Sequence, residues 1–311
     1  MSVGVAIPVA RRTRNDRLLW VACLGATTLA VAVLSALLIA VFLQGVSSLD
    51  WHFLSSYASR KAANAGILAP LMGSLWVCTL CGAISIPIGI ATAIYLEEYA
   101  PKSRLRSFVQ LNISNLSGVP SIVYGILGLA AFGRCFGVLS SDEPLALGSP
   151  DSIFFIQLPL GRGILAGALT LSLVILPIMI IAAQEALRTV PKSLRHAALA
   201  LGATKWQVVR RVTLPAALPT MMTGAILSMS RAIGEAAPLL VIGGVLLLFS
   251  VPENLMSDFT VLPLQIYNWA GRPQEEFHRI AAGAIIVQLA LLLLFNSVAV
   301  LIRQKLQRPL Q

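Results

Sequence analysis

Hydrophobic positions in this chain do not alternate with polar ones; they run on. Residues 18–49, 62–96, 107–133, 163–184 and 280–302 contain no Asp, Glu, Lys or Arg. A helix crosses a hydrocarbon core about 30 Å thick with roughly 20 apolar residues, because it rises about 1.5 Å per residue. Each of the five stretches is long enough. A sixth apolar region, 212–252, is interrupted only by Arg231 and Glu235. The bilayer interior offers backbone amides no water, so such stretches must close their own hydrogen bonds as helices. The pattern predicts an all-α, polytopic membrane protein with six transmembrane helices, at about 18–43, 68–96, 108–133, 161–184, from about 213, and 280–302.

Breakers refine these limits. Pro101 ends the second span after Glu97 and Glu98, since the residue before a proline is pushed away from helical geometry. The third span carries Gly118, Pro120, Gly125 and Gly128, which buried membrane helices tolerate. The apolar piece Ile153–Leu160 in the 134–160 loop is too short to span. As one straight helix, 213–249 would measure about 55 Å, so a break is expected, with Pro238 as its place. The chain divides into a segment 1–17, a membrane domain 18–302 with its core at about 68–302, and a tail 303–311.

Charge sets the orientation. The 311 residues are 57% hydrophobic and 12% charged, with net charge +10; soluble domains carry about 25% charged residues. Of the 23 Lys and Arg residues, 16 fall on one side of the six predicted spans. They lie in 11–17, 102–106, 188–211 and 303–308. The positive-inside rule therefore places both termini in the cytoplasm. The basicity is topological, and nucleic acid is not expected as a partner. The apolar run after Arg17 is longer than the 7–15 residues typical of a signal peptide, so it is read as a first retained span. Cys78 and Cys81 form C-x-x-C inside a span, and His52, His196 and His278 are scattered. Neither pattern makes a metal or redox site. No nucleophile–base pair is found in the spans, so an intramembrane enzyme is not expected.

Arg231 and Glu235 need a reason, because charge inside a membrane costs about 2.5–3.5 kcal/mol per group on insertion scales. Four residues apart, they can pair on one helix face. At about 100° per residue, Thr220, Gly224, Ser228, Arg231 and Glu235 share an arc of about 80°. A polar and small stripe ending in an ion pair suits an aqueous path or a bundle interior. Arginine stays charged and offers oxyanions a planar fork of donors. The plainer alternative is an ion pair that only locks two helices together.

The segment 185–212 exceeds the usual 2–8-residue helix connection. A helix former, Ala197-Ala198-Leu199-Ala200-Leu201, meets Gly202, then a second basic stretch meets Leu214-Pro215. Two short helices about a glycine would make a docking protrusion; otherwise the segment is a surface helix lying on anionic lipid. Its spacing resembles the EAA loop of bacterial ABC importer permeases, E-A-A, three residues, G, nine residues, I-x-L-P. Here it reads His196-Ala197-Ala198, Gly202, Val212, Leu214-Pro215, with histidine in place of the glutamate. The sequence Arg231-Ala232-Ile233-Gly234-Glu235-Ala236-Ala237-Pro238-Leu239-Leu240 is similar to phosphate permeases of the A type (PstA). Ser117-Gly118-Val119-Pro120-Ser121-Ile122-Val123-Tyr124-Gly125 resembles them too.

The resemblance implies a type I, MetI-like importer bundle with a cytoplasmic coupling helix in the 185–215 loop. His196, Ala197, Ala198, Gly202, Leu214 and Pro215 would meet an ATPase subunit. Arg231, Glu235, Ser228, Ser121 and Tyr124 would line the substrate pathway. The implied partners are a sister permease, an ATP-binding subunit dimer, an extracytoplasmic phosphate-binding protein, phosphate and the lipid bilayer. The chain has no G-x-x-x-x-G-K-[ST] motif, so no cofactor of its own is expected; ATP and Mg would be used by the partner ATPase. Another oxyanion, sulfate or molybdate, and a membrane scaffold without transport are the alternative readings.

Overall fold

The computed structural model describes residues 9–134, 145–149, 152–158, 160–244 and 248–306. Cys135, Arg308, the start of the N-terminal segment and most of the first half of the 134–160 loop lie outside the described residues. Among those described, helix dominates. Helix α1 is Val9–Gly45, α2 is Trp51–Ser55, and α3 is Leu68–Ile94, prolonged by a π-helical turn Tyr95–Tyr99. Helix α4 is Arg104–Leu116 and α5 is Ser121–Gly128. Two three-residue strands, β1 Leu145–Leu147 and β2 Ile156–Leu158, pair antiparallel. They put a small hairpin in the loop between the expected third and fourth spans. Then come α6 Ile164–Thr189, α7 Lys192–Ala200, α8 Lys205–Val208, α9 Leu214–Gly234, α10 Ala237–Ile242, α11 Leu262–Ala270 and α12 Glu275–Leu306.

Among the described residues, five helical stretches are long and apolar enough to cross a membrane: Asp16–Ser48, Leu68–Tyr99, Ile164–Thr189, Lys205–Gly234 and Glu275–Lys305. The sixth expected span is not one helix. α4 and α5 meet at a bend of 106°, so the region counts as a span only as a broken pair. Three groups make the break. Pro120 has no amide hydrogen and keeps Val119 out of helical geometry. The Ser117 hydroxyl bonds back to the Ser114 carbonyl at 2.7 Å. The buried Tyr124 hydroxyl then donates to the Leu116 carbonyl at 2.7 Å, tying α5 to the end of α4.

The expected start of the fifth span near 213 also shifts. A π-helical turn, Val209–Thr213, joins α8 directly to α9, so one helical path runs from Lys205 to Gly234. Pro215 then falls in the first turn of α9, where a missing donor costs little, and the wider turn before it lets the hydrogen-bond ladder change register.

α6 is the centre of the bundle. α3 and α9 pack on it from two sides, and α5 and α10 pair with each other and against it. Gly125 makes the α5–α10 contact possible: a Cβ there would stand 2.8 Å from the Pro238 backbone. The largest core joins Val77 and Cys81 of α3, Leu171 and Ile175 of α6, Leu239 of α10 and Phe259. A second core joins Phe53, Trp269 and Phe277. It holds α2, α11 and α12 together on the outer side, where α1 lies against α12. α11 is fixed at its start by the Ser74 hydroxyl of α3, which accepts from the Leu262 amide at 2.8 Å.

Candidate pathway and coupling sites

The first site is the break after α9. The helix ends at Gly234, and Glu235 is extended, with φ −80° and ψ 112°. α10 restarts at Ala237 with Pro238 in its first turn. The expected break is present, but it falls at Glu235-Ala236, and Pro238 starts the next helix where no amide donor is needed. Glu235 therefore hangs off the helix end and is not inside the helix. Its Oε1 still reaches the Arg231 Nε at 3.1 Å. The Arg231 side chain is 50% exposed and that of Glu235 is 17% exposed, so the guanidinium looks outward from this chain while the carboxylate holds one edge of it.

The expected stripe divides. Thr220 and Arg231 are exposed. Ser228 is buried and donates to the Gly224 carbonyl at 2.8 Å, and Gly224 lies against Ala182 of α6. Gly224 and Ser228 thus face the bundle, and the open face carries Thr220, Leu227, Arg231 and Gly234. Ser121 is half-buried at the start of α5. Tyr124 belongs to the buried cluster that also holds Ala232 and Leu239, beside the α9–α10 break. Its hydroxyl is occupied by the Leu116 carbonyl. Sequence reasoning missed the polar contacts between α9 and α12: the Ser230 hydroxyl donates to Asn296 at 2.8 Å, and Arg303 donates to the Thr223 hydroxyl at 3.1 Å. Isolated Asn and Ser residues inside apolar spans were the available signal.

The second site is the loop after α6. α7 buries none of its residues. It closes on Gly202, which has φ +84°, a left-handed conformation that side chains resist. The Gly202 amide bonds to the Leu199 carbonyl at 2.9 Å and the Ala203 amide to that of Ala198 at 3.1 Å. This is the hydrogen-bond pair of a Schellman stop. Thr204 opens α8 with a capping box: its hydroxyl accepts from the Gln207 amide, and Gln207 Oε1 accepts from the Thr204 amide. Both ends of the turn are fixed locally, which makes a stiff elbow. His196, Ala197 and Gly202 are exposed, Ala198 and Leu214 are half-buried, and Pro215 is exposed. Leu194, Leu199, Leu201 and Trp206 also stand in the open, Leu201 at 89%. An apolar patch on a basic, stiff protrusion is the composition of a contact surface.

The protrusion is tied to the bundle by charge. Arg195 lies 3.1 Å from Glu98, and its Nη2 donates to the Leu187 carbonyl at 2.6 Å. Glu97 accepts from Arg188 at 2.7 Å and stands 3.6 Å from Arg106. From hydropathy alone, Glu97 and Glu98 mark only the end of a span. Two acids in the basic face were the signal that went unused.

Residues 85–308 match the family of binding-protein-dependent transport system inner membrane components. The chain is 35% identical over 220 residues to the probable ABC transporter permease protein YqgI of Bacillus subtilis, covering 70% of this chain and 67% of that one. It is 31% identical to the phosphate transport system permease protein PstC of Mesorhizobium japonicum, over 86% of each chain. It is also 31% identical to the phosphate transport system permease protein PstA 1 of Mycobacterium tuberculosis, over 81% of this chain and 75% of that one. Among solved structures, a bacterial alginate ABC transporter chain superposes with TM-score 0.66 at 15% identity, covering 97% of this chain and all of that one. A chain of the MetNI methionine transporter superposes with TM-score 0.56 at 19% identity, covering 78% and 96%. These two likenesses concern the fold.

Proposed function

This chain belongs to the binding-protein-dependent transport system inner membrane components, and from that premise we propose that it forms half of the pore of a phosphate importer. Membership makes it a non-catalytic, multi-pass permease subunit of an ABC importer in the inner membrane. The phosphate reading rests on relatives that carry that substrate in their names, and on one feature of the fold. Arg231 is a permanently charged oxyanion ligand on the open face of α9, held along its Nε edge by Glu235 and half exposed. Glu235 keeps the guanidinium in place without saturating it. A conduit needs this balance, because a site that bound its cargo tightly would not release it.

In this reading the open face of α9 meets the sister permease, and phosphate handed over by an extracytoplasmic binding protein passes between the two. The ATPase pair meets the exposed elbow of α7 and α8, at His196, Ala197, Ala198 and Gly202. Leu214 and Pro215 carry its movement into α9, and both chain termini lie in the cytoplasm. The A-type assignment rests on Ala236-Ala237 after Glu235; relatives of both A and C type match at 31% identity. Sulfate or molybdate is the second reading, since one guanidinium does not tell tetrahedral oxyanions apart.

The test is uptake of labelled phosphate, sulfate and molybdate by vesicles carrying the whole complex. Phosphate alone is expected to accumulate. Arg231→Ala is expected to lower uptake at least about tenfold, as loss of a charge-assisted hydrogen bond of about 1.4 kcal/mol or more does, while the subunits still co-purify. Uptake at the parent rate in that variant would remove Arg231 from the pathway.

A further inference from the structure

The end of α3 collects side chains from four other elements. The π-helical turn Tyr95–Tyr99 presents Glu97, Glu98 and Tyr99 within five residues. Glu97 takes Arg188 from the last turn of α6, at 2.7 Å from Nη2 and 3.2 Å from Nε, and Arg106 from α4 at 3.6 Å. Glu98 takes Arg195 from α7 at 3.1 Å. Tyr99 carries the ammonium of Lys205, the first residue of α8, 5.2 Å from its ring centroid. Glu185 completes the set, 2.8 Å from the other side of Arg188. The side chains of Glu97 and Glu98 are 13% and 9% exposed; Arg188 and Glu185 are more open, so the Glu98–Arg195 pair is the best shielded of the set and the least like a surface ion pair.

The two arms of the elbow are therefore held separately by one short turn, α7 through Glu98 and α8 through Tyr99. The same turn holds α4 through Glu97. Its geometry suits a moving part. A π turn is a local widening of the helix, with its hydrogen bonds reset at each end. Ala100 and Pro101 close it, and the Ala100 amide bonds back to the Tyr95 carbonyl at 2.8 Å. α4 in turn is coupled to α6 by Gln110 and Gln184, whose amides exchange bonds of 2.8 and 3.1 Å. At its far end α4 runs into the 106° bend.

We propose that the Tyr95–Tyr99 turn is the receiver of the coupling loop: it takes displacement of α7 and α8 and delivers it to α4. Arg195, Lys205, Glu97, Glu98 and Tyr99 are its positioning residues. The inference rests on the reading that the exposed elbow meets the ATPase subunits, and does not depend on which anion is carried. His196, where related loops place glutamate, is exposed. The inward grip is made by its neighbour Arg195, so the replacement leaves the receiver intact.

The test uses the complete complex without any cargo. Asn112, exposed on α4, is replaced by cysteine in a background with the four native cysteines substituted, and labelled with an environment-sensitive fluorophore. ATP with orthovanadate is expected to shift its emission. Glu98→Gln and Arg195→Gln are each expected to reduce the shift at least about fivefold, the lower range of coupling between sites, with the ATPase subunits still co-purifying. The exchange Glu98→Arg with Arg195→Glu is expected to restore part of it. Tyr99→Leu, which touches only the second arm, is expected to give a smaller reduction. A full shift in Glu98→Gln and Arg195→Gln, or no nucleotide-dependent shift in the parent, would overturn the proposal. Loss of the ATPase subunits from variants of both arms would assign the contacts to assembly and overturn it as well.

Discussion

α1 and α6 carry spans of nearly equal mean hydropathy, and they occupy opposite places in the molecule. Their spans have mean hydropathy 2.5 and 2.6. Of the most apolar window of α6, 67% of residues are buried by the rest of the chain; for α1 the figure is 0%. Both turn hydroxyls back onto their own backbone: Thr27 and Thr28 bond to the carbonyls of Cys23 and Leu24, and Thr170 and Ser172 to those of Ala166 and Ala168. Both are rich in alanine, so small residues on the helix itself do not separate them either.

The difference lies in the neighbours. Gly89 of α3 faces Met179, Gly128 of α5 faces Thr170, and Gly224 of α9 faces Ala182, so three helices each place a glycine against α6. α1 makes one approach of this kind, where Gly45 meets the backbone of Ala282 and Gly283 on α12. In lipid, where burying an apolar helix gains little over leaving it in hydrocarbon, close packing decides which helices associate. Hydropathy therefore says that a helix is in the membrane, and complementary gaps in other helices say where.

If that is right, filling such a gap should do the most damage. A Cβ at Gly224 would stand 2.5 Å from the Ala182 Cβ, and neither is the far end of a flexible side chain. Gly224→Leu is expected to separate α9 from α6 and abolish recovery of assembled complex from detergent extracts. Overpacking costs of about 1–3 kcal/mol are usual in well-packed cores, and here the added group would also lie 3.7 Å from the Ala182 backbone. Recovery at the parent level would show that neighbouring glycines do not set the place of α6. Gly45→Leu fills the corresponding gap on α1, 2.5 Å from the Ala282 backbone. It is expected to have a smaller effect: α1 loses its seat on α12, and hydrogen exchange at its last turn rises, while the complex assembles and transports.

The contrast between these helices also marks what the sequence could convey. The uncharged gaps were readable because the bilayer leaves a chain no alternative to helix across them. The loop from His196 to Pro215 was readable because its spacing is fixed by an elbow whose glycine, φ +84°, and threonine cap are local. The bend between α4 and α5 was not readable. Gly118 and Pro120 are compatible with a continuous membrane helix, and the bend is completed by Tyr124 reaching Leu116 across it. The α9 stripe was half readable: periodicity grouped Gly224, Ser228 and Arg231 correctly on one side of a helix, but that side straddles the boundary between bundle and open face. The importance of Glu97 and Glu98 was hidden because their partners, Arg106, Arg188 and Arg195, lie in three elements far apart along the chain.

The smallest expected effect is the sharpest test of the comparison. Leu34 on α1 is 58% exposed and Leu171 on α6 is fully buried. Leu171→Ala leaves a cavity beside Val77 and Phe259, members of the same core. Buried Leu→Ala changes cost about 2–5 kcal/mol in water-soluble cores. Much of that is lost packing, which lipid does not replace inside a bundle, so a clear fall in the thermal midpoint of the purified complex is expected. Leu34→Ala exchanges a lipid-facing side chain for a smaller one, and lipid closes over the gap. A change within about 0.5 kcal/mol is expected, with no shift of the midpoint. A shift as large as that of Leu171→Ala would mean that another subunit covers this face of α1 in the assembly. The helix that looks peripheral in the single chain would then be an interface.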